Sequence, residues 1–214
     1  PSIAGNWRAR MTLSGEVAET GFTIGESVPD GLLVAAILPG SRSVGLNQSA
    51  SIFATMANAG QAELKGCRIL PLGPFAGELE YQATDPATNE LTGQPNQPVS
   101  IPVGAARSFV VTLAPRVQVS PSNIQFNFKC NNAPRARSVR GLNTLQFSAA
   151  ATAPADILPI SATSAGDGVV RLGGASGAGA FGTAALNIGA SVTGVTVVPQ
   201  AEGMELAMSV CETD

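Results

Sequence analysis

Few side chains in this sequence can do chemistry, and their types narrow the choice. Histidine is absent, which removes the commonest general base and the commonest metal ligand. A Ser-His-Asp or Cys-His site cannot be assembled within the chain, and neither can an imidazole-bound zinc. Paired carboxylates hydrolyse glycosides without histidine, and the candidates are Glu78, Glu80, Asp85 and Glu90. All four fall in one hairpin region, where turn and solvent-face roles account for each. With one Tyr and one Trp, the chain also offers little aromatic surface for a sugar ring. Calcium takes about six to eight oxygens. Asp85, Asn89 and Glu90 form a small cluster, and Asp167 stands between two glycines, without the D-x-D-x-D-G spacing. Gly177-x-Gly179-x-x-Gly182 matches a dinucleotide fingerprint by letter, but the fingerprint needs a preceding strand and a helix opening at its end. No such helix is predicted, and a glycine loop is the expectation.

The three cysteines are Cys67, Cys130 and Cys211. Cys67 lies in a strand candidate, Leu64–Leu70, and Cys130 closes another. Their separation of 63 residues suits a disulfide across a sandwich, with a loop-closure stabilisation of about 4 kcal/mol. The alternative is two buried free thiols in a reducing compartment. Cys211 is left over, which predicts an intermolecular or unpaired thiol whose partner lies beyond Asp214 or on another subunit.

The elements that must position these residues are strands. Ile124, Phe126, Phe128 and Cys130 alternate with Gln125, Asn127 and Lys129. A strand sorts those residues onto two faces, whereas a helix scatters them. The same period-two pattern runs through Phe109, Val111 and Leu113, through Leu79, Tyr81 and Ala83, through Ala184, Leu186 and Ile188, and through Met204, Leu206, Met208 and Val210. Ser49–Met56, Leu145–Ala150 and the apolar run Gly31–Leu38 read as strands too. Asp85-Pro86-Ala87-Thr88-Asn89 is a turn joining Glu78–Thr84 to Glu90–Thr92, because Pro fixes φ and Asp and Asn side chains bond nearby amides. Gly166-Asp167-Gly168 is another turn, and Gly173–Gly182 is too glycine-rich for a strand interior. No strict internal repeat stands out.

About a dozen short strands, with turns every ~8–12 residues, predict an all-β chain of tandem immunoglobulin-like β-sandwiches. Pro134 and the arginines Arg135, Arg137 and Arg140 interrupt the alternation within Ala133–Gly141. The expected division is a first sandwich over residues 40–133, a linker at 134–140 and a second sandwich over 141–214. Residues 1–39 hold N-terminal strands that either join the first module or act as an exchange segment. Gly5–Val17 carries Trp7, Arg8 and Met11, the expected interaction segment, which can lie in a partner's groove or complete its own sheet.

Composition limits the setting. Charged residues make up 13% and the net charge is −3, so the surface is covered by small polar residues and offers no basic face for nucleic acid. No run of about 20 apolar residues crosses a membrane. The chain opens at Pro1 with neither an initiator Met nor a signal peptide, which reads as a processed chain or a piece of a longer one. Asn47-Gln48-Ser49 fits the N-glycosylation pattern.

Several stretches resemble modules of large secreted or cell-surface, repeat-containing β-proteins of Gram-negative bacteria. They are Phe53–Gly60 followed by Gly66-Cys67, Tyr81–Val103, Ser108–Val110, Phe126–Cys130, Gly141–Leu145, Gly166–Val169, Gly179–Gly189 and Cys211–Asp214. The likeness covers about residues 44–214. It implies an extracellular or surface setting and no chemistry. In such modules a second cysteine follows the last one after a short turn, and here the sequence stops first. The expectation is therefore a non-enzymatic structural or interaction protein, outside the cell or in the periplasm, with no cofactor and no metal. Its partners would be other protein subunits, of the same or another kind. A carbohydrate-binding module for a surface glycan is the alternative, and a secreted hydrolase is a remote one.

Overall fold

The computed structural model describes residues 5–13, 16–24, 29–174, 177–199 and 205–213, the first two stretches as backbone. Among the described residues the chain is all-β, with fourteen strands in four sheets and no helix. The strands are β1 (Gly5–Leu13), β2 (Glu16–Ile24), β3 (Leu33–Leu38), β4 (Ser41–Gly45), β5 (Ala50–Asn58), β6 (Leu64–Leu72), β7 (Gly77–Thr84), β8 (Leu91–Thr92), β9 (Val99–Ile101), β10 (Ala106–Pro115), β11 (Val119–Lys129), β12 (Thr144–Ala150), β13 (Ile157–Thr163) and β14 (Phe181–Asn187).

Two five-stranded sheets carry the core, in the orders β3-β5-β10-β7-β8 and β4-β12-β11-β6-β9. Alternation puts one residue in two onto each inner face. Ala50, Ile52, Ala54 and Met56 of β5 are buried while Ser51, Phe53 and Thr55 are exposed. The inner residues of both sheets join a single buried cluster, with Phe109, Val111 and Leu113 from one and Phe126, Phe128 and Phe147 from the other. Full burial of one such side chain contributes about 1.5–3 kcal/mol, and two inner faces meeting in this way seal each other from water. All strand pairs are antiparallel except β4 with β12. The chain passes from one sheet to the other between β3 and β4, at Pro39-Gly40.

A buried corner ends β5. The Asn58 amide donates to the carbonyls of Ala62 (2.8 Å) and Ile101 (3.0 Å), and its Oδ1 accepts from Gly60 N–H at 3.0 Å. The backbone then doubles back on the segment before β3, through Ala59 N–H to Leu32 O (2.9 Å) and Gln61 N–H to Asp30 O (3.1 Å). A Cβ on Gly60 would stand 2.5 Å from the Asp30 carbonyl oxygen, so no larger residue fits there.

The sheet pairings correct the expected division of the chain. β12 follows the arginine-bearing stretch and pairs with β11 in the same sheet. The segment expected as linker 134–140 is therefore a loop between neighbouring strands, tied down by Ala136 N–H to Phe128 O at 3.0 Å. Proline and arginines break alternation in a loop as they would in a linker. Past Asp156 the described residues form one hairpin, β13–β14, and no second two-sheet unit. Residues 1–39 divide in the same way: β3 belongs to the first sheet, and among the described residues β1 pairs with β2 in a separate two-stranded sheet.

The Cys67–Cys130 disulfide is present, but it does not cross from layer to layer. β6 and β11 are neighbours, with Ile69 opposite Phe128 and Arg68 opposite Lys129. That register puts Cys67 directly against Cys130, with the Cα atoms 3.9 Å apart. Both cysteines are buried, and the bond staples two strands of one sheet. Sequence separation is the same for either geometry, which is why spacing did not distinguish them.

Candidate interaction site

The four carboxylates considered for hydrolysis are not gathered into a site. Glu78 and Glu80 share the outer face of β7, where Glu78 pairs with exposed Arg116. Asp85 is spent on its own turn, accepting from Ala87 N–H (2.8 Å) and Thr88 N–H (3.0 Å). Those two amides hold its carboxyl below the usual carboxylate range, Ala87 first. A groove of about 330 Å³ lies nearby, lined in part by Thr92, Gln94, Gln97, Ser100 and Arg107, and it includes none of the four carboxylates and no aromatic ring. Tyr81 is buried and bonds the Asn96 carbonyl at 3.0 Å. Burial pushes its hydroxyl above the ordinary value of 10.0, and Arg68 partly offsets this.

The other expected residues also fall apart as a group. Asp167 accepts from Val169 N–H (3.0 Å) and pairs with Arg171 at 2.7 Å. The Arg171 contact is the main reason its carboxyl sits below the usual range. Asn47 takes a left-handed turn conformation (φ 68°), and the Gln48 side chain accepts from Gly45 N–H at 2.9 Å. Gly177 and Gly179 lie in a loop as expected, but Gly182 is inside β14, so a strand follows the glycines where the fingerprint requires a helix. Among the described residues no three carboxylates or cysteines gather closely enough to hold a metal ion, and no helix is long and apolar enough to cross a membrane. The side chains of Trp7, Arg8 and Met11 lie outside the described residues; their strand, β1, pairs antiparallel with β2. Cys211 is free and exposed. Of the alternation from Met204 to Val210, Met204 lies outside the described residues, and Glu205–Val210 forms no ladder among them.

The feature the sequence did not disclose is the junction at Asp156. Its carboxylate is buried. It accepts from Arg42 Nε and from Ser43 N–H of β4, both at 2.8 Å. Ser41 Oγ donates to the Ile157 carbonyl at 3.2 Å. These bonds fasten the start of β13 to the edge strand β4 and launch the hairpin from the two-sheet unit. A buried carboxylate is held this way only when its charge is paired and its oxygens are bonded. Ala153-Pro154-Ala155-Asp156 carries no local pattern that announces the role.

The hairpin so launched is largely exposed. Leu158, Ile160, Ala162, Gly182, Ala184 and Leu186 share one face by register, with Ile160 61% and Leu186 53% exposed. The opposite face carries a Ser161–Thr183 hydroxyl bond of 2.9 Å. From Ile160 through Val210 the large apolar side chains of the described residues, Phe181 and Met208 among them, are exposed.

No protein-family model matches the sequence, and no curated protein matches it. A solved structure described as "AvmM Catalyzes Macrocyclization in Alchivemycin A Biosynthesis" aligns with a TM-score of 0.34 at 11% identity, covering 88% of this chain and 99% of its own. Domains 1–6 of the surface layer protein SbsC align with a TM-score of 0.30 at 11% identity, covering 96% of this chain and 30% of theirs. The chain spans under a third of that second structure. At these scores neither likeness bears on the fold or function of this chain.

Proposed function

We propose that the chain is a non-enzymatic structural or interaction protein that works outside the cell as a subunit of a surface assembly, filament or larger complex, and that its two five-stranded sheets form an immunoglobulin-like sandwich. The exposed apolar face of β13–β14 carries this reading. An isolated two-stranded hairpin is marginal in water, so a partner that covers it gains the burial. The Cys67–Cys130 bond supports an oxidising compartment. The shift of the chain from one sheet at β3 to the other at β4, with β4 parallel to β12, supports the immunoglobulin-like assignment.

Sedimentation at rising concentration, joined to surface labelling of the producing cell, tests the role. Concentration-dependent association and surface exposure are expected. A strict monomer at high concentration, found only in a reducing interior, overturns it. The groove beside Arg107, with its amide and hydroxyl lining, favours a second reading as a glycan-binding module. Saturable sugar binding lost in Arg107→Ala would support that alternative.

A further inference from the structure

At its corner the β13–β14 hairpin, the second, repeats three hydrogen bonds of the antiparallel pair β3–β5, the first. In the first, Leu33 stands opposite Asn58; in the second, Ile157 stands opposite Asn187. Asn187 Oδ1 accepts from Gly189 N–H at 3.0 Å, as Asn58 Oδ1 does from Gly60. Ile188 N–H bonds Asp156 O (2.9 Å) and Ala190 N–H bonds Pro154 O (3.0 Å), in the places of Ala59 to Leu32 and Gln61 to Asp30. Gly189 is as confined as Gly60: a Cβ there would stand 2.5 Å from Asp156 N and from the Pro154 carbonyl oxygen. Each corner follows an Asn-x-Gly triplet and abuts a segment containing a proline and an aspartate, Pro29-Asp30 or Pro154-Ala155-Asp156.

In the first pair the strand that runs into the corner, β5, is not an edge. Asn58 N–H bonds Ala105 O at 2.9 Å, and β10 runs antiparallel along β5, with Arg107 opposite Met56 and Phe109 opposite Ala54. Among the described residues the equivalent edge of β14 is open, since β13 and β14 form a two-stranded sheet. Because Ile188 N–H points to β13, the amides of Phe181, Thr183, Ala185 and Asn187 point the other way, to that open edge. β14, FGTAALN, carries no charge and no proline, the devices that protect edge strands.

We propose that the open edge of β14 accepts an antiparallel β-strand of the β10 kind: an extended protein segment, nearly uncharged and apolar at alternate positions, supplied by another molecule. The first half of the chain shows such a strand seated on the same backbone. One detail differs. The first pair buries Leu33, Ala35, Ile37, Ala54 and Met56, whereas in the second the equivalent face mixes Ile157, Pro159 and Phe181 with Ser161 and Thr183, and the more uniformly apolar face is the opposite one by register, with Leu158, Ile160 and Leu186. The incoming strand therefore aligns its apolar residues with that face. Such an edge gives the assembling subunit proposed above its attachment point, and it rests on that reading for its role though not for its geometry.

The probe is a labelled peptide with the sequence of residues 106–115, titrated into the full chain at a concentration where sedimentation shows a monomer. Expected are saturable binding and hydrogen exchange slowed about tenfold or more at the Phe181, Thr183, Ala185 and Asn187 amides. A copy of the peptide N-methylated at every second residue removes the strand's own donors while leaving the protein untouched. Of the two alternate methylation patterns, one should weaken binding about tenfold or more. Thr183→Pro should do the same while the Ala184 and Leu186 amides keep their protection. No binding up to about 1 mM, protection elsewhere than β14, or equal binding of both methylated peptides overturns the proposal. Any of these leaves the surface role standing, because that role is read from association and location.

Discussion

The two antiparallel pairs that end at Asn-x-Gly corners, β3–β5 and β13–β14, share corner bonds and differ in what surrounds them. β3–β5 has β10 along its edge and the second sheet over its face, and Ile52, Ala54 and Met56 reach almost complete burial. β13–β14 has neither, and Phe181 remains 50% exposed. Local sequence and a few corner bonds are therefore enough to shape such a hairpin, while stability comes from what is laid against it. The comparison also locates the stable part of the molecule. Among the described residues the buried core ends near Asp156, and those beyond it add no large apolar side chain to it.

The largest expected contrast is between two phenylalanines. Phe109→Ala empties a fully buried site and should cost about 3–5 kcal/mol in urea unfolding. Phe181→Ala should leave the same unfolding free energy unchanged within about 0.5 kcal/mol. Equal losses would mean that the second hairpin shares the first unit's core. Next in size is the disulfide, which closes a 63-residue separation wholly within the first unit. Cys67→Ala with Cys130→Ala should lower stability by about 4 kcal/mol and leave hydrogen exchange in β13–β14 as it was. Loss of the hairpin's protection in that variant would show the two regions to be coupled.

These contrasts bear on what the sequence disclosed. Period-two alternation located most strands of the two-sheet unit, because those strands bury one face and selection for burial writes the period directly. It misled at the described part of Met204–Val210, Glu205–Val210, where the same period occurs without a ladder among the described residues. Alternation states what a segment could bury, and a ladder requires a partner. The disulfide pair was legible from its count and spacing, but its placement within one sheet was not, because spacing carries no information about layers. Ala133–Gly141 looked like a linker because loops and linkers are built from the same residues. Asp156 was illegible for a different reason: its role exists only through Arg42 and Ser43, more than a hundred positions away. The one signal that could have flagged its surroundings was the recurrence of Asn-x-Gly at Asn58 and Asn187, each preceded at a distance by proline and aspartate.

The corner asparagines sharpen the comparison on a smaller scale. Asn58 is buried with three bonds, so Asn58→Ala leaves an amide and two carbonyls without partners and should cost about 2 kcal/mol. Asn187 makes a similar set, including Asp156 N–H to its Oδ1 at 3.1 Å, but water reaches it. Asn187→Ala should cost less than about 1 kcal/mol, seen as faster exchange of the Gly189 amide and not as a lower global stability.

The smallest expected effect separates the two turn aspartates. Both have depressed folded values, so each contributes stability that is present above the ordinary carboxylate range and lost as pH falls through its lowered value. The causes differ. At Asp85 the leading cause is the backbone amides of its own turn, Ala87 and then Thr88. At Asp167 it is the exposed cation of Arg171, with Val169 N–H second. Fixed amides in contact with the carboxylate are little affected by ions in solution, whereas an exposed ion pair is screened. Carboxyl titrations followed by NMR at low and high salt should therefore bring Asp167 back toward the ordinary carboxylate value and leave Asp85 nearly where it was. Arg171→Gln at low salt should reproduce the effect of salt on Asp167. If both aspartates respond equally, the turn of the second hairpin is held as the first unit's is, by its backbone, and the contrast between the two regions stops short of their turns.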